Sequence, residues 1–461
     1  MTRYLISGVL GPEDPFEPKD SGETVVASLD LLDSNGNLRF GIGGALYQLA
    51  AMELAPTPIG IDLLTLAALV HAADTRLNRI RTSQDAWTRE IGIILPVSDV
   101  VVWNPAVEVI ERMLRFLTGD LWTVRFRSLP ASGRPPLRRR PRMTTARHFE
   151  GVSLLSGGLD SLIGALDELH GGGRPLFVSH GGEGGVSGPQ RKLFEMLKET
   201  GLGTQELTRL RLAMIFPRSL VPGVGSENST RGRSFLFIAL GAFAGSAFGR
   251  PFTLRVPENG LISLNVPLDV TRLGSNSTRT THPFYIHRWN EFLARIGVPA
   301  TVTNPYWKRT KGEIVAECKE PGILEKLAPY SLSCAHPSMK RWHEGGKPHC
   351  GYCLPCIIRR ASLLKAPWAN KDQTGYSVPE LADEVLDTTK AKGRQVRGFQ
   401  YAVARLKERP GLAKMWIYKP GPLREDAAIV PDLVGVYERG MAEVATVLEG
   451  VVAKPVDNPG A

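Results

Sequence analysis

Cysteine is scarce in this chain of 461 residues, with five in all, and four of the five crowd between positions 334 and 356. Dispersed disulfides are therefore excluded as its organising device, and clustered thiols in an intracellular chain argue for a metal instead. No run of about 18 apolar residues occurs, so no membrane span is expected. The nearest candidate, Phe235–Phe248, is short and rich in Gly and Ala and reads as a buried helix. The opening stretch MTRYLISGVLGPEDPFEP has no apolar core followed by a cleavage site, so no secretion signal is expected and the chain reads as cytoplasmic. The Walker A string G-x-x-x-x-G-K-[ST] is missing, which excludes that type of phosphate loop. Acidic residues are in the minority: 46 Asp and Glu face 56 Lys and Arg, a net charge of +10. Such a chain is drawn to phosphates, whether on nucleotides, nucleic acid or membranes. Much of the excess falls in Arg134–Arg142, RPPLRRRPR, which reads either as a contact for nucleic acid or an acidic partner or as a solvated linker.

What is present describes a globular protein: 43% hydrophobic residues and a mean hydropathy of −0.09, enough for two or three packed domains. Residues 1–127 read as a small α+β domain. Ile61–Ile80 is spaced as a helix with Asp62 at its start, Ile91–Leu95 and Leu121–Phe126 read as strands, and Pro105–Leu117 reads as a helix between them. Trp87, Trp103 and Trp122 read as packing residues. Residues 128–148 have linker composition. From 149 to 330, strands and helices alternate, which predicts a parallel sheet with helices on both faces. Residues 331–365 hold the cysteine cluster. Residues 366–461 read as a helical extension, with helices over Glu380–Leu386, Gln400–Lys407 and Val430–Val452.

The strongest chemical signal is VSLLSGGLDSLIGALDEL, a strand running through Leu155-Ser156-Gly157-Gly158-Leu159-Asp160-Ser161 into a helix. Two glycines allow a tight turn that presents backbone N–H groups to an anion. The helix N-terminus adds partial positive charge. Ser156 and Ser161 bring hydroxyl donors, and Asp160 is suited to holding Mg²⁺ or orienting a neighbouring donor. The alternative is an ordinary strand-to-helix turn with Ser or Asp as a cap. The second signal is Cys334-x15-Cys350-Gly-Tyr-Cys353-Leu-Pro-Cys356, whose four thiolates fit a closed structural Zn²⁺ site. An iron–sulfur cluster takes the same ligands, and chance proximity of free thiols is the remaining alternative. His336, His343 and His349 lie in the intervening loop.

Ser156–Ser161 resembles the PP-loop of the N-type ATP pyrophosphatases, which have a Rossmann-like parallel sheet (the HUP type) and share one step, adenylation, with loss of pyrophosphate from ATP. The cysteine cluster is similar to that of the branch that makes 7-cyano-7-deazaguanine, the QueC-like proteins, although the gap before CGxC is longer here. Three further stretches match that branch: Gly188–Lys192, Arg233-Ser234 and Thr310–Ile314. The resemblance covers residues 150–365, and the layout with both added ends is similar to the QueC-like components of the Qat anti-phage system. It implies ATP, Mg²⁺ and Zn²⁺ as cofactors and a nucleotide site made of Leu155 to Ser161 and Ser179. It also implies catalytic roles for Asp160, Ser161, Arg233 and Lys311. The implied substrate is a carboxylate such as 7-carboxy-7-deazaguanine, passed as an acyl-adenylate to ammonia or to an amine of a partner protein. Glu258, Asn259, Arg279, His282 and Tyr285 are the expected substrate contacts, with Arg279 meeting the carboxylate. Two rival readings remain: a PP-loop tRNA-modifying adenylase, and a scaffold that senses nucleotide without turnover.

Overall fold

The computed structural model describes residues 2–18, 22–83, 85, 87–130, 148–181, 187–229, 231–268, 279–336 and 346–456. The basic run at 134–142 lies outside them, as do most of the linker, Thr278 and His343.

Two parallel sheets form the frame. The first joins β1 (Arg3–Val9), β2 (Thr24–Asp30), β3 (Glu90–Val97) and β4 (Leu121–Ser128) in the order β2-β1-β3-β4. All its pairings are parallel. The first unit is therefore α/β, a correction to the α+β expectation. The reason is that β1 and β2, which complete the parallel set, carry too weak a pattern to stand out in the sequence. The second sheet joins β5 (Gly151–Leu154), β6 (Pro175–Gly181), β7 (Thr208–Ala213), β8 (Phe252–Arg255) and β9 (Ala300–Thr303) in the order β7-β6-β5-β8-β9, again all parallel. Strand β6 is buried along its whole length, as a strand covered on both faces must be. The order in which the chain adds strands reverses between β5 and β8, and α/β sheets bind ligands at such a switch point, outside the carboxyl ends of the strands.

The sheets share one apolar core. The helix Pro58–Arg76, with Thr57 as its cap, packs against the helix Arg233–Ser246, and residues of both sheets belong to the same buried cluster. By length and composition Pro58–Arg76 could cross a membrane, yet 89% of it is buried inside the protein. Asp62, expected as its cap, lies inside the helix and accepts from Ser98 N and from Trp103 Nε1 (3.2 Å). Trp103 and Trp122 are buried, as expected, while Trp87 lies under the Arg79 and Arg231 guanidiniums. Arg89 is fully buried, paired with Asp74 (2.9 Å) and Asp120 (2.7 Å).

The last quarter packs around the helices Ala391–Glu408 and Val430–Val447 in a cluster that also takes in Leu261, Leu264, Ile357 and Ala361. Glu380–Leu386 is not helical. Leu386–Asp387 instead pairs with Ala453–Lys454 as a short parallel ladder. Val430–Val447 packs on the helices Gly260–Leu264, Lys311–Ala316 and Leu354–Leu363, so the extension is built onto the second sheet.

Candidate functional site

The loop Leu155–Gly158 leaves the carboxyl end of β5 and enters the helix Leu159–His170. Gly157 has φ 87°, which a side chain would strain, and a Cβ there would stand 2.8 Å from Gln190 Cγ. Gly158 begins the helix with no side-chain cap, and the first intrahelical bond runs from Leu162 N to Gly158 O. The N–H groups of Leu159, Asp160 and Ser161 thus lack helical acceptors, leaving donors at a positive helix end. Ser156 Oγ lies 3.1 Å from Ser161 Oγ and accepts from Gly158 N, while Ser161 Oγ donates to Gly158 O. Ser179, fully buried, donates to Leu155 O at 2.8 Å and so fixes the loop from beneath. Gln190 does the same from the side, donating to Ser156 O at 2.7 Å and to His180 O at 3.3 Å.

Asp160 is engaged on both oxygens. Its Oδ2 accepts from Asn259 N (3.1 Å) and Nδ2 (2.7 Å), and its Oδ1 forms an ion pair with Lys311 Nζ at 2.9 Å. Asp160 is thus a shared acceptor for Asn259 and Lys311. Asn259 follows β8, so this hydrogen bond spans the switch point between β5 and β8. Among the described residues the one group of three or more His, Cys, Asp or Glu side chains that could hold a metal is the cysteine cluster.

Two buried or half-buried cations lie on elements around the loop, Lys311 on Asp160 and Arg233 on His180. Lys311 is buried at the first position of a helix that Thr310 and Glu313 cap reciprocally. Arg233 opens the helix Arg233–Ser246, half-buried, with 3.4 Å contacts to Nδ1 and O of His180. Among the described residues it meets no carboxylate, and burial lowers its pKa. Burial and this guanidinium hold His180 down at about 2, and burial holds its ring neighbour His71 at about 3, so both imidazoles are neutral. Arg191 and Lys192 are exposed. Burial pushes Glu258 up to about 7; Thr281 donates to it, and its backbone N–H donates to Asn304 Oδ1.

The other expected substrate contacts fall elsewhere. Arg279 donates to Phe116 O at 2.9 Å and stacks on the Phe116 ring. His282 caps the helix Pro283–Arg295, and Tyr285 is buried in the core. Beside Glu258 a cavity of about 280 Å³ opens, lined by Thr281, Phe284, Asn304, Trp307, Leu423 and Glu425 among others. Asn304 Nδ2 is buried there without a partner.

The four cysteines converge. Cys334 and Cys353 sulfurs are 3.9 Å apart, as are those of Cys350 and Cys356, and all four lie within 4.8 Å of one another. Four sulfurs at about 2.3 Å from one ion would be about 3.8 Å apart, so this buried set can hold a single ion such as zinc. Backbone N–H groups of His336 and Cys353 point at Cys334 and Cys350 sulfurs. His349 Nε2 accepts from Ser333 N, and His336 is exposed, so neither replaces a thiolate. The segment is joined to the loop by Leu332 N, which donates to Gly157 O at 2.8 Å. Arg359, fully buried, ties Ser331, Ser333 and Ala328 together behind it.

Sequence reasoning missed the role of Gln190, and it missed Asp74 and Glu443, which reach the site from the flanking units. Gly232 N donates to Asp74 Oδ2 at 2.6 Å, and Gly312 N donates to Glu443 Oε2 at 3.1 Å. No family model, no curated protein and no solved structure matches this chain.

Proposed function

We propose that this chain is an ATP pyrophosphatase of the kind its loop resembles, cleaving ATP to AMP and pyrophosphate while it activates a carboxylate. One observation carries the reading: at the switch point an uncapped helix N-terminus has Lys311 paired to its first-turn Asp160, while a second cation, Arg233, sits on His180 at the end of the neighbouring strand β6. That is the layout needed to gather charge as pyrophosphate departs. In this reading the N–H groups of Leu159, Asp160 and Ser161 and the hydroxyls of Ser156 and Ser161 receive the β- and γ-phosphates. Asp160 holds Lys311 and Asn259 in register. The substrate carboxylate attacks the α-phosphorus, the bond to the bridging oxygen breaks, and pyrophosphate leaves. An amine, ammonia or one on a partner protein, then attacks the acyl carbon and expels AMP.

The acid is assigned to the cavity beside Glu258, where Phe284 and Trp307 offer flat apolar walls. A 7-carboxy-7-deazaguanine-like acid fits this chemistry, and anti-phage defence is the setting the resemblance implies. Zinc at the four cysteines has a structural role, holding Leu332 against Gly157.

The test is incubation with ATP, Mg²⁺ and 7-carboxy-7-deazaguanine, resolving AMP, ADP and pyrophosphate, with Asp160→Ala as control. AMP and pyrophosphate that require both the acid and Asp160 are expected. AMP formed only with tRNA would transfer the assignment to a tRNA-modifying adenylase. Nucleotide binding without AMP under any condition would make the protein a sensor.

A further inference from the structure

Each candidate cation stands at the start of a helix, and each start is gripped by a carboxylate from a flanking unit. Asp74 belongs to the helix Pro58–Arg76 of the first sheet's unit and accepts from Gly232 N at 2.6 Å, one residue before Arg233. Glu443 belongs to the helix Val430–Val447 and accepts from Gly312 N at 3.1 Å, one residue after Lys311, and from the Thr310 hydroxyl, one residue before it. Both glycines are close-fitting. A Cβ on Gly312 would lie 2.5 Å from a Glu443 oxygen, and one on Gly232 would lie 3.2 Å from the Asp74 carboxylate. A carboxylate at a helix N-terminus is favourable in itself, and the glycines let each one approach closely. Asp74 is in turn fixed by buried Arg89, and the Glu443 helix by Arg439, which pairs with Glu313 and bonds Lys308 O.

We infer that Asp74 and Glu443 are positioning residues: the two flanking units complete the site by setting Arg233 and Lys311, respectively. The claim rests on the reading of those cations as phosphate ligands. Neither added unit is then an accessory for recruitment alone, because each supplies one half of the charge clamp. The arrangement predicts separable effects. Loss of Glu443 frees Lys311 and leaves Arg233 in place, and loss of Asp74 does the reverse.

The experiment labels full-length protein with an amine-reactive reagent and with phenylglyoxal, and reads Lys311 and Arg233 by peptide mass spectrometry. Variants are Glu443→Ala, Glu443→Gln, Asp74→Asn and Gly232→Ala. The last two guard against a failure to fold in Asp74→Ala, since that carboxylate is buried beside Arg89. Labelling of Lys311 is expected to quicken at least about tenfold in Glu443→Ala and less in Glu443→Gln, with Arg233 unchanged. In Asp74→Asn and Gly232→Ala, Arg233 labelling should quicken with Lys311 unchanged. In the same proteins kcat for pyrophosphate release should fall about tenfold or more while KM for ATP changes less. General loosening would raise both labels together in every variant and would overturn the inference, as would unchanged labelling in folded Glu443→Ala. A wild-type protein that labels as expected yet never releases pyrophosphate would sink the proposed function and leave the mechanical coupling standing.

Discussion

Asp160 and Lys311 face each other at 2.9 Å with side chains 10% and 4% exposed. A buried pair contributes little net stability while whole, but removing one partner strands the other. Lys311→Met should therefore destabilise the fold by about 3 kcal/mol in urea melts, through Asp160 left with an unpaired oxygen. The double variant Asp160→Asn/Lys311→Met should recover much of that loss and none of the activity. A loss in the double variant equal to the sum of the losses in Lys311→Met and Asp160→Asn would show that the pair does not interact. Gly157→Ala is a harsher change than its size implies. It puts a side chain at φ 87° and within 2.8 Å of Gln190 Cγ, and about 1–2 kcal/mol of strain is expected along with weakened nucleotide binding.

Among the elements, the cysteine segment and the helix Pro58–Arg76 make the clearest predictions. Purified protein should carry about one zinc per chain by elemental analysis. Cys356→Ser or strong chelation should lower both the melting temperature and ATP affinity, because Leu332 is bonded to Gly157 O. Full ATP binding after complete metal loss would separate the two sites. The helix Pro58–Arg76 brings neutral His71 against neutral His180. Their folded pKa values, about 3 and about 2, lie below the ordinary 6.5, so the unfolded chain binds more protons in acid. Stability from this contact is complete above pH 6.5 and is lost progressively as pH falls towards 3. Arg233, Arg76 and Arg211 add repulsion to any charge placed there. Thermal melts from pH 7.5 to 5 should thus fall less steeply for His71→Gln than for the unaltered protein.

At this scale the limits of the sequence are also plain. The loop and the thiolates were legible because their chemistry is written in contiguous residues: Leu155–Ser161 is one turn, and Cys350–Cys356 is seven residues. The second sheet was legible for a similar reason, since alternation of short apolar runs with longer helical ones needs no distant partner. Asn259, expected at the substrate, instead grips Asp160 from 99 residues away, and Asp74 reaches Gly232 across 158; nothing local marks either contact. Asp62 shows how a correct residue preference loses to tertiary context. Its carboxylate is a fair helix cap by type, but Ser98 and Trp103 bury it one turn inside the helix. Arg279 has the chemistry of a carboxylate ligand, and the Phe116 carbonyl and ring take it.

For the whole molecule, the decisive fact is the single apolar core beneath both sheets. The first 127 residues were expected to be a domain in their own right, yet their main helix has as its partner the helix Arg233–Ser246. Expressed as two separate chains, 1–130 and 148–461, the halves are expected to co-purify and to recover near-UV dichroism only together. If 148–461 alone showed a native spectrum and a sharp melt, the shared core would be of no consequence for folding.

Shared burial also bears on inheritance. A gene whose product seals its own interior piece by piece can shed a piece and keep a smaller working protein. Here a shortened copy would expose the inner face of what remained, so decay of such a gene should pass straight from function to loss, without a simplified survivor in between.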